Sequence, residues 1–402
     1  LSALADGRSA IHAPLRSRDS DLMASGLASL GVRIDTDSDD VWTVDPGRLA
    51  GPASIDVGLS GTVMRFLPPV AALGDGAVAF DGDPRARERP LGPLLDGLGA
   101  IGVRIDATPS ADGGRLPLTV HGDGHVVGGD LQIDASASSQ FVSGLLLAAA
   151  RFDRGVVIRH VGPPVPSAPH LRMTVAMVRA AGGVVDDGTP DVWAVEPGKL
   201  AGREWHIEPD LSGAAPFLAA ALITGGTVTV PDWPRDTTQP GHLLRDLLTR
   251  MGGTATLTDT GLTVSGTGTV HGIDVDLSDA SELTMVIAAL AALADSPSRL
   301  VGIGHVRGHE TDRLAALARE LDRLGAGVAE LPDGIAIEPR PLAGTVFDTY
   351  DDHRMAHAAA VIGLAVPGVE LSDVACTSKT MPGFPALWTG MVDGSTKGRV
   401  AR

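Results

Sequence analysis

Four cations, Arg89, Arg313, Arg354 and Lys379, stand where side chains could do chemistry. At positions that the pattern marks as helix starts lie Ser60-Gly61-Thr62 with Arg65, Ser138-Ser139-Gln140, Glu282 and Asp352-His353-Arg354. Arg89, Ser167, His170, His309-Glu310, Arg313 and Lys379 fall in the polar loops between helices. A helix start offers free N–H groups and a positive dipole end to an anion, and planar arginine forks match carboxylate and phosphate. The set suits a small polyanionic ligand. Taken singly, each element has a plainer reading. Ser-Ser-Gln and Gly-Thr are common caps, Arg89 could be a surface arginine before Pro90, and His353-Arg354 could cap its helix. Glu310 to Arg313 could be first-turn acids in a surface ion pair. No cysteine-histidine spacing suggests zinc, and neither GxxxxGK[ST] nor GxSxG occurs. Cys376 reads as a small buried hydrophobe, and His12, His206 and the tryptophans read as structural.

The elements that must position these residues repeat. Glycine numbers 51 of 402 residues, well above the usual share of about 7%, which directs attention to periodic turns. Five segments share a helical run, a Gly-rich turn, a strand, a polar turn and a strand. With Gly31, Gly102, Gly183, Gly253 and Gly327 as markers, the spacings are 71, 81, 70 and 74 residues. Two copies read as duplicates: VWTVDPGRLAG from Val41 matches VWAVEPGKLAG from Val192. Each unit also has a second helix, apolar nearly all round and hence buried. These start near Ser60, Ser138, Ser212, Glu282 and His353, and end near Leu73, Ala150, Ile223, Leu293 and Leu364. Leu1 to Gly7 reads as the C-terminal end of a sixth such helix, lacking at least one turn and a preceding strand. The chain thus divides into residues 1–208, three units with the first truncated, and residues 209–393, three more, with a frayed tail over 394–402.

Length and 44% hydrophobic content suffice for sizeable cores. The formal charge of −17 argues against nucleic acid and anionic membrane surfaces as partners. Apolar runs such as Met285 to Ala294 are half the roughly 20 residues of a membrane span, and one cysteine fits a reducing cytosol. A cytoplasmic location is expected.

Six motifs, in order, resemble one family. They are Gly58-Leu59-Ser60-Gly61-Thr62-Val63-Met64-Arg65, Gly82-Asp83-Pro84-Arg85-Ala86-Arg87-Glu88-Arg89-Pro90-Leu91, Ser138-Ser139-Gln140-Phe141, Gly308-His309-Glu310-Thr311-Asp312-Arg313-Leu314, Asp352-His353-Arg354-Met355-Ala356 and Ser378-Lys379-Thr380. From about Leu1 to Trp388 the chain resembles the 5-enolpyruvylshikimate-3-phosphate synthases (3-phosphoshikimate 1-carboxyvinyltransferases). The resemblance implies a two-domain inside-out α/β barrel built from six repeats, three per domain. The implied reaction transfers the enolpyruvyl group of phosphoenolpyruvate to the 5-hydroxyl of shikimate 3-phosphate and releases phosphate through a tetrahedral intermediate. This step belongs to the shikimate pathway to chorismate and aromatic amino acids. No metal or organic cofactor is implied, the two substrates are the only partners, and the family's usual state is a monomer. Substrates would lie between the two halves, with closure about Glu208 to Asp210 excluding water.

By matched position, Arg89, Gln140 and Lys379 would hold the phosphate of phosphoenolpyruvate, Arg313 and Arg354 its carboxylate, and Gly61 and Thr62 would line that subsite. Ser138, Ser139 and Ser167 would hold the phosphate of shikimate 3-phosphate, with Gln140 and His170 against its ring. Glu282 matches the family's base for the 5-hydroxyl, and Glu310 its acid for the methylene carbon. Opposite jobs require separated proton affinities, so burial must favour the protonated form of Glu310.

Three departures stand out. The family's N-terminal lysine-serine and arginine motif has no counterpart, because the sequence starts just after it. The sequence as given is expected to show little or no activity, and normal activity if those residues precede it. The usual asparagine before Gly61-Thr62 is replaced within Leu59-Ser60, which removes an amide from the phosphoenolpyruvate subsite and bears on the implied inhibition by glyphosate. His309 stands where lysine is usual, and a conditional positive charge beside the 5-hydroxyl is expected of it. Two rival readings are a catalytically silent anion-binding form and the sister transferase that acts on UDP-N-acetylglucosamine. The latter usually carries a reactive cysteine in the loop matching Asp83 to Arg89, and this loop has none.

Overall fold

The computed structural model describes residues 1–111 and 113–394. Of the tail expected over 394–402, all but Gly394 lies outside the described residues. The fold is mixed α/β, and the chain divides into two units, Leu1–Ile207 and a second beginning at Glu208.

Three repeats build the first unit. The first holds β1 (Ser9–His12), α1 (Arg18–Ser29), β2 (Arg33–Asp35) and β3 (Val41–Asp45). The second holds β4 (Ala53–Asp56), α2 (Gly61–Ala71), β5 (Asp75–Asp81), α3 (Gly92–Ala100), β6 (Arg104–Ser110) and β7 (Gly113–Asp123). The third holds β8 (Gly129–Ile133), α4 (Gln140–Ala149), β9 (Val156–His160), α5 (Ala168–Ala180), β10 (Val185–Asp186) and β11 (Val192–Val195), and β12 (Glu204–His206) ends the unit. Sheets β4-β5-β7-β6 and β8-β9-β11-β10 each open with a parallel pair and continue antiparallel. The remaining sheet, β12-β1-β3-β2, has the same plan. Its leading strand is β12, which pairs parallel to β1 from Ala10 opposite Glu204 to His12 opposite His206. This sheet differs from the other two in taking its leading strand from the far end of the unit. Leu1 to Gly7 also differs from the expected helix end: it forms a short 3-10 turn, Ser2–Leu4, that buries Ala3 and Leu4.

The duplicated tryptophan segments fall on equivalent strands. Trp42 in β3 and Trp193 in β11 both point into the core, at 6% and 9% exposure, on strands whose side chains alternate between faces.

In the second unit the order is α6 (Ala215–Thr224), β13 (Thr227–Pro231), α7 (Leu244–Arg250), β14 (Thr254–Thr258), β15 (Gly261–Ser265), β16 (Asp274–Asp276), α8 (Thr284–Ala292) and β17 (Ser298–Val301). There follow α9 (Arg313–Leu324), β18 (Gly327–Leu331), β19 (Gly334–Glu338), β20 (Val346–Phe347), α10 (His353–Gly363), β21 (Glu370–Leu371) and α11 (Phe384–Val392). Sheet β16-β17-β19-β18 repeats the plan in full, and β13-β15-β14 and β20-β21 carry parts of it.

The apolar helices behave as their composition dictates. Every residue of α8 is buried, and α6, α8 and α10 pack on one another. In the first unit α2 packs on α4, around fully buried Leu67, Phe80, Phe141 and Phe152. Truncating Phe141 to alanine would cost about 3–5 kcal/mol. The outer helices end in one way. After α1, α3, α5, α7 and α9, the glycines Gly31, Gly102, Gly182, Gly252 and Gly325 take φ from +93° to +107°. Each donates to the carbonyl three residues back, and the following N–H donates five residues back, as Val32 does to Leu27. This is a Schellman close, which needs a left-handed residue that glycine adopts without Cβ strain.

Candidate active site

Several residues named from sequence sit on short 3-10 turns between strand and helix. Arg89 follows Ala86–Glu88, Glu282 lies in Ser281–Leu283, His309 follows Gly304–Gly308, and Lys379 closes Ala375–Lys379. Such turns place a side chain beside a helix start without adding it to the helix.

One cluster in the first unit surrounds the start of α2. Ser60 caps the helix, its Oγ accepting from the Val63 N–H at 3.4 Å and lying 3.1 Å from Thr62 Oγ1. Arg65, one turn on and 3% exposed, donates from Nη1 to Gln140 Oε1 at 2.8 Å and from Nη2 to the Pro90 carbonyl at 3.2 Å. Its guanidinium also lies 5.3 Å from the centre of the Phe141 ring, a cation–π contact. Arg89, 8% exposed, donates from Nη1 to the Leu59 carbonyl at 3.1 Å, and its buried Nε has no hydrogen-bond partner among the described residues. Gly61 is the hub. A Cβ there would lie 2.8 Å from Arg89 Nη2, 3.1 Å from Gln140 Oε1 and 3.2 Å from Arg65 Nη1. Gly61, Thr62, Arg89 and Gln140 are thus brought together, with two guanidinium groups at a helix start and a spare buried donor. That arrangement can bind an anion.

The serines stand at two neighbouring helix heads. Ser138 accepts from the Gln140 N–H at 3.3 Å, and Ser139 precedes α4. Ser167 precedes α5 with φ +52°, and the His170 N–H donates to its carbonyl at 3.0 Å. The two heads are tied near their first turns: Ser143 Oγ and Thr174 Oγ1 are 2.8 Å apart, and Thr174 donates to the His170 carbonyl.

In the second unit the cluster is an ion network. Arg313, the first residue of α9, donates from Nε to Asp352 Oδ2 at 2.7 Å and from Nη2 to Asp352 Oδ1 at 3.0 Å. Its Nη2 also lies 2.8 Å from Glu310 Oε2, and its Nη1 donates to His309 Nδ1 at 2.8 Å. Burial opposes the charge of Arg313, yet Asp352, Glu310 and Glu282 together hold its pKa above the ordinary arginine value. The other oxygen of Glu310 meets Lys379 Nζ. Arg354 donates to the Glu282 backbone carbonyl at 2.9 Å and to Ser212 Oγ at 3.2 Å. Glu282, His309, Glu310, Arg313, Arg354 and Lys379 are therefore brought together.

Two sequence expectations meet constraints here. Both oxygens of Glu310 accept from cations, which suits an ionised carboxylate rather than one already holding a proton. Arginine can only donate, so in this contact His309 Nδ1 is the acceptor.

Sequence reasoning left Arg65, Ser212 and Asp352 without roles and passed over His305. Arg65 carried a signal, four residues beyond Gly61 and so on the same helix face. Asp352 carried one too, as an N-cap type: its Oδ1 accepts from the Arg354 N–H at 2.9 Å. His305 carried none, since it lies in an aperiodic turn. Its ring centre is 5.8 Å from that of His309, and burial lowers its pKa although nearby Glu282 pulls it up. Burial, then Lys379 and Arg354, hold His353 well below the ordinary histidine range. Among the described residues no group of side chains could hold a metal ion, and no helix is long and apolar enough to cross a membrane.

Comparison with known proteins accords with this architecture. Two structures of EPSP synthase from Acinetobacter baumannii superpose with TM-scores of 0.78 and 0.76, at 24% and 23% identity, each over 98% of this chain and 91% of theirs. The enolpyruvyl transferase NikO from Streptomyces tendae superposes at 0.73 with 18% identity, over 96% of this chain and 89% of its own. At such identities the likeness speaks to the fold. A family model described as EPSP synthase (3-phosphoshikimate 1-carboxyvinyltransferase) matches residues 1–388. With nearly the whole chain matched, the protein belongs to the EPSP synthase family, a family of enolpyruvyl transferases.

Proposed function

We propose that this protein transfers the enolpyruvyl group of phosphoenolpyruvate to the 5-hydroxyl of shikimate 3-phosphate. The observation that carries the reading is Glu310 held between Lys379 and Arg313, with Glu282 close to the same arginine. Both substrates are anions, and the reaction needs one carboxylate to accept a proton and another to deliver one. In this reading Arg313 and Arg354 take the carboxylate of phosphoenolpyruvate, and Arg89, Gln140 and Lys379 take its phosphate, beside Gly61 and Thr62. Ser138, Ser139 and Ser167 take the phosphate of shikimate 3-phosphate, with Gln140 and His170 at its ring.

Glu282 accepts the 5-hydroxyl proton as that oxygen bonds to C2 of phosphoenolpyruvate, and Glu310 delivers a proton to C3. The tetrahedral adduct then returns a C3 proton to the Glu310 carboxylate as the C2–O bond to phosphate breaks, and the proton held by Glu282 leaves with the phosphate. Atoms balance: one enol ether and one phosphate form from two substrates. Substrate anions compete with Glu310 for Lys379 and Arg313, so their arrival frees the carboxylate to take up the proton it delivers. His309 stands beside the 5-hydroxyl, with its Nδ1 against Arg313.

The test is phosphate release with each substrate alone and with both. Release that requires both, matched one to one by enol ether, is the expected result. Release with UDP-N-acetylglucosamine in place of shikimate 3-phosphate overturns the reading, as does no release with either acceptor from a form carrying the family's lysine-serine and arginine motif ahead of Leu1.

A further inference from the structure

The segment leading into Asp352 and Arg354 is held in a conformation its residues do not favour. Tyr350 and Asp351 are consecutive non-glycine residues at φ +53° and +54°. Left-handed backbone is disfavoured for residues with a Cβ and persists only where the surroundings over-determine it. Here they do so from two sides. Glu320, two turns along α9 from Arg313, is wholly buried. Its Oε1 accepts from the Tyr350 hydroxyl at 2.8 Å and Arg323 Nη1 at 3.0 Å; its Oε2 accepts from the same Arg323 nitrogen at 2.7 Å and the Asp348 N–H at 3.1 Å. From the other side, Ser372 Oγ accepts from the Thr349 N–H at 3.0 Å and donates to Asp348 Oδ1 at 3.2 Å. That oxygen also accepts from the Tyr350 N–H at 3.1 Å. Burial and the Glu320 carboxylate push the Tyr350 phenol up, which keeps it a donor.

Helix α9 therefore grips one short loop at two points. Arg313 holds Asp352 at the loop's end, and Glu320 holds Asp348 and Tyr350 at its start. We propose that Glu320 and Tyr350 are positioning residues: they fix the 348–352 turn against α9, and through Asp352 they set the direction in which the Arg313 and Arg354 guanidinium groups are presented. Neither is among the residues assigned to substrate. A two-pronged carboxylate clamp tolerates displacements of only about 0.5 Å and 10–20°, which gives a strained and doubly braced loop its purpose. The inference rests on the reading of Arg313 and Arg354 as that clamp.

The test uses the full chain with Tyr350→Phe and Glu320→Gln, which preserve shape, and with Val264→Ala in β15 as a destabilised control remote in sequence. Three quantities are read: KM for phosphoenolpyruvate against kcat, thermal midpoint, and hydrogen exchange of the Arg354 amide, which the Asp352 cap protects. Tyr350→Phe should raise KM for phosphoenolpyruvate about tenfold, short of the roughly hundredfold that a 1 Å displacement can cost. It should leave KM for shikimate 3-phosphate unchanged and speed exchange at Arg354, and Glu320→Gln should do the same. Val264→Ala should lower the midpoint and move neither of the other quantities. Parental KM and parental Arg354 exchange in both loop variants would overturn the proposal, because a purely structural role moves the midpoint alone. If a parent carrying the lysine-serine and arginine motif ahead of Leu1 shows no transferase activity, the functional reading falls, and the exchange measurement alone then decides whether the loop is positioned from Glu320.

Discussion

Arg313 and Asp352 form a fork pair between the starts of two helices, with contacts of 2.7 and 3.0 Å and side chains 3% and 0% exposed. The same carboxylate caps α10 through the Arg354 N–H. One side chain thus fixes the direction of one guanidinium and the backbone that carries the next.

Removing one partner of a buried pair strips the other of compensation, and without Asp352 the Arg313 guanidinium would keep Glu310, which it shares with Lys379. Asp352→Ala should destabilise the protein by about 3–5 kcal/mol, read as a lowered urea midpoint. A loss below about 1 kcal/mol, typical of exposed pairs, would show that Arg313 finds other partners.

At Gly61 the difficulty is space. A methyl group there meets Arg89 Nη2 at 2.8 Å and two further polar atoms near 3 Å. Gly61→Ala should raise KM for phosphoenolpyruvate about tenfold, equivalent to about 1.4 kcal/mol, with a smaller change for shikimate 3-phosphate. Steady-state kinetics with each substrate varied in turn checks this. Equal shifts for both would place the crowding elsewhere.

Glu282→Gln keeps the shape of the side chain and removes its capacity as a base. General-base contributions run at about 10²–10⁴-fold, so kcat should fall by that order while the affinity for shikimate 3-phosphate changes little. Titration calorimetry supplies the affinity. A large loss of binding would make Glu282 a ligand instead.

His357 offers a pH test of stability. It lies one turn beyond His353 on α10, 1% exposed, its ring 4.6 Å from that of Phe384 and both nitrogens without hydrogen-bond partners among the described residues. Burial, then Arg354 and Arg313, lower its pKa from 6.5 to about 3. Between those values the unfolded chain binds a proton that the folded chain refuses. Its contribution to stability is therefore complete above about pH 6.5 and is lost as pH falls toward 3, by about 1.4 kcal/mol per pH unit. His357→Phe removes this dependence, so the urea midpoint should drop less between pH 7 and pH 5 in the variant than in the parent. Parallel pH dependences would refute the assignment.

The repeat was legible because its signals are local. A Schellman close needs glycine at one backbone position, and five such positions appear as glycines in the sequence. The buried helices announce themselves by having no polar face. Tertiary closure left no such trace: nothing local in Glu204-Trp205-His206 says that it runs beside Ser9–His12. In the candidate site, helix starts and loops could be listed from sequence, but partners could not. Arg65 meeting Gln140 spans 75 residues and Lys379 meeting Glu310 spans 69. Which of the two His309 nitrogens faces Arg313 follows only from the folded backbone.

The pairing of β12 with β1 also sets an order of events during synthesis. The sheet begun by Ser9–His12 keeps one edge open while nearly two hundred further residues are made, since its closing strand ends at His206. Exposed strand edges recruit other chains, and domains complete on the ribosome at about 5–20 residues per second. For ten seconds or more, on that scale, the nascent first unit presents an unfilled edge, and shielding that edge is a requirement that this connectivity places on the cell.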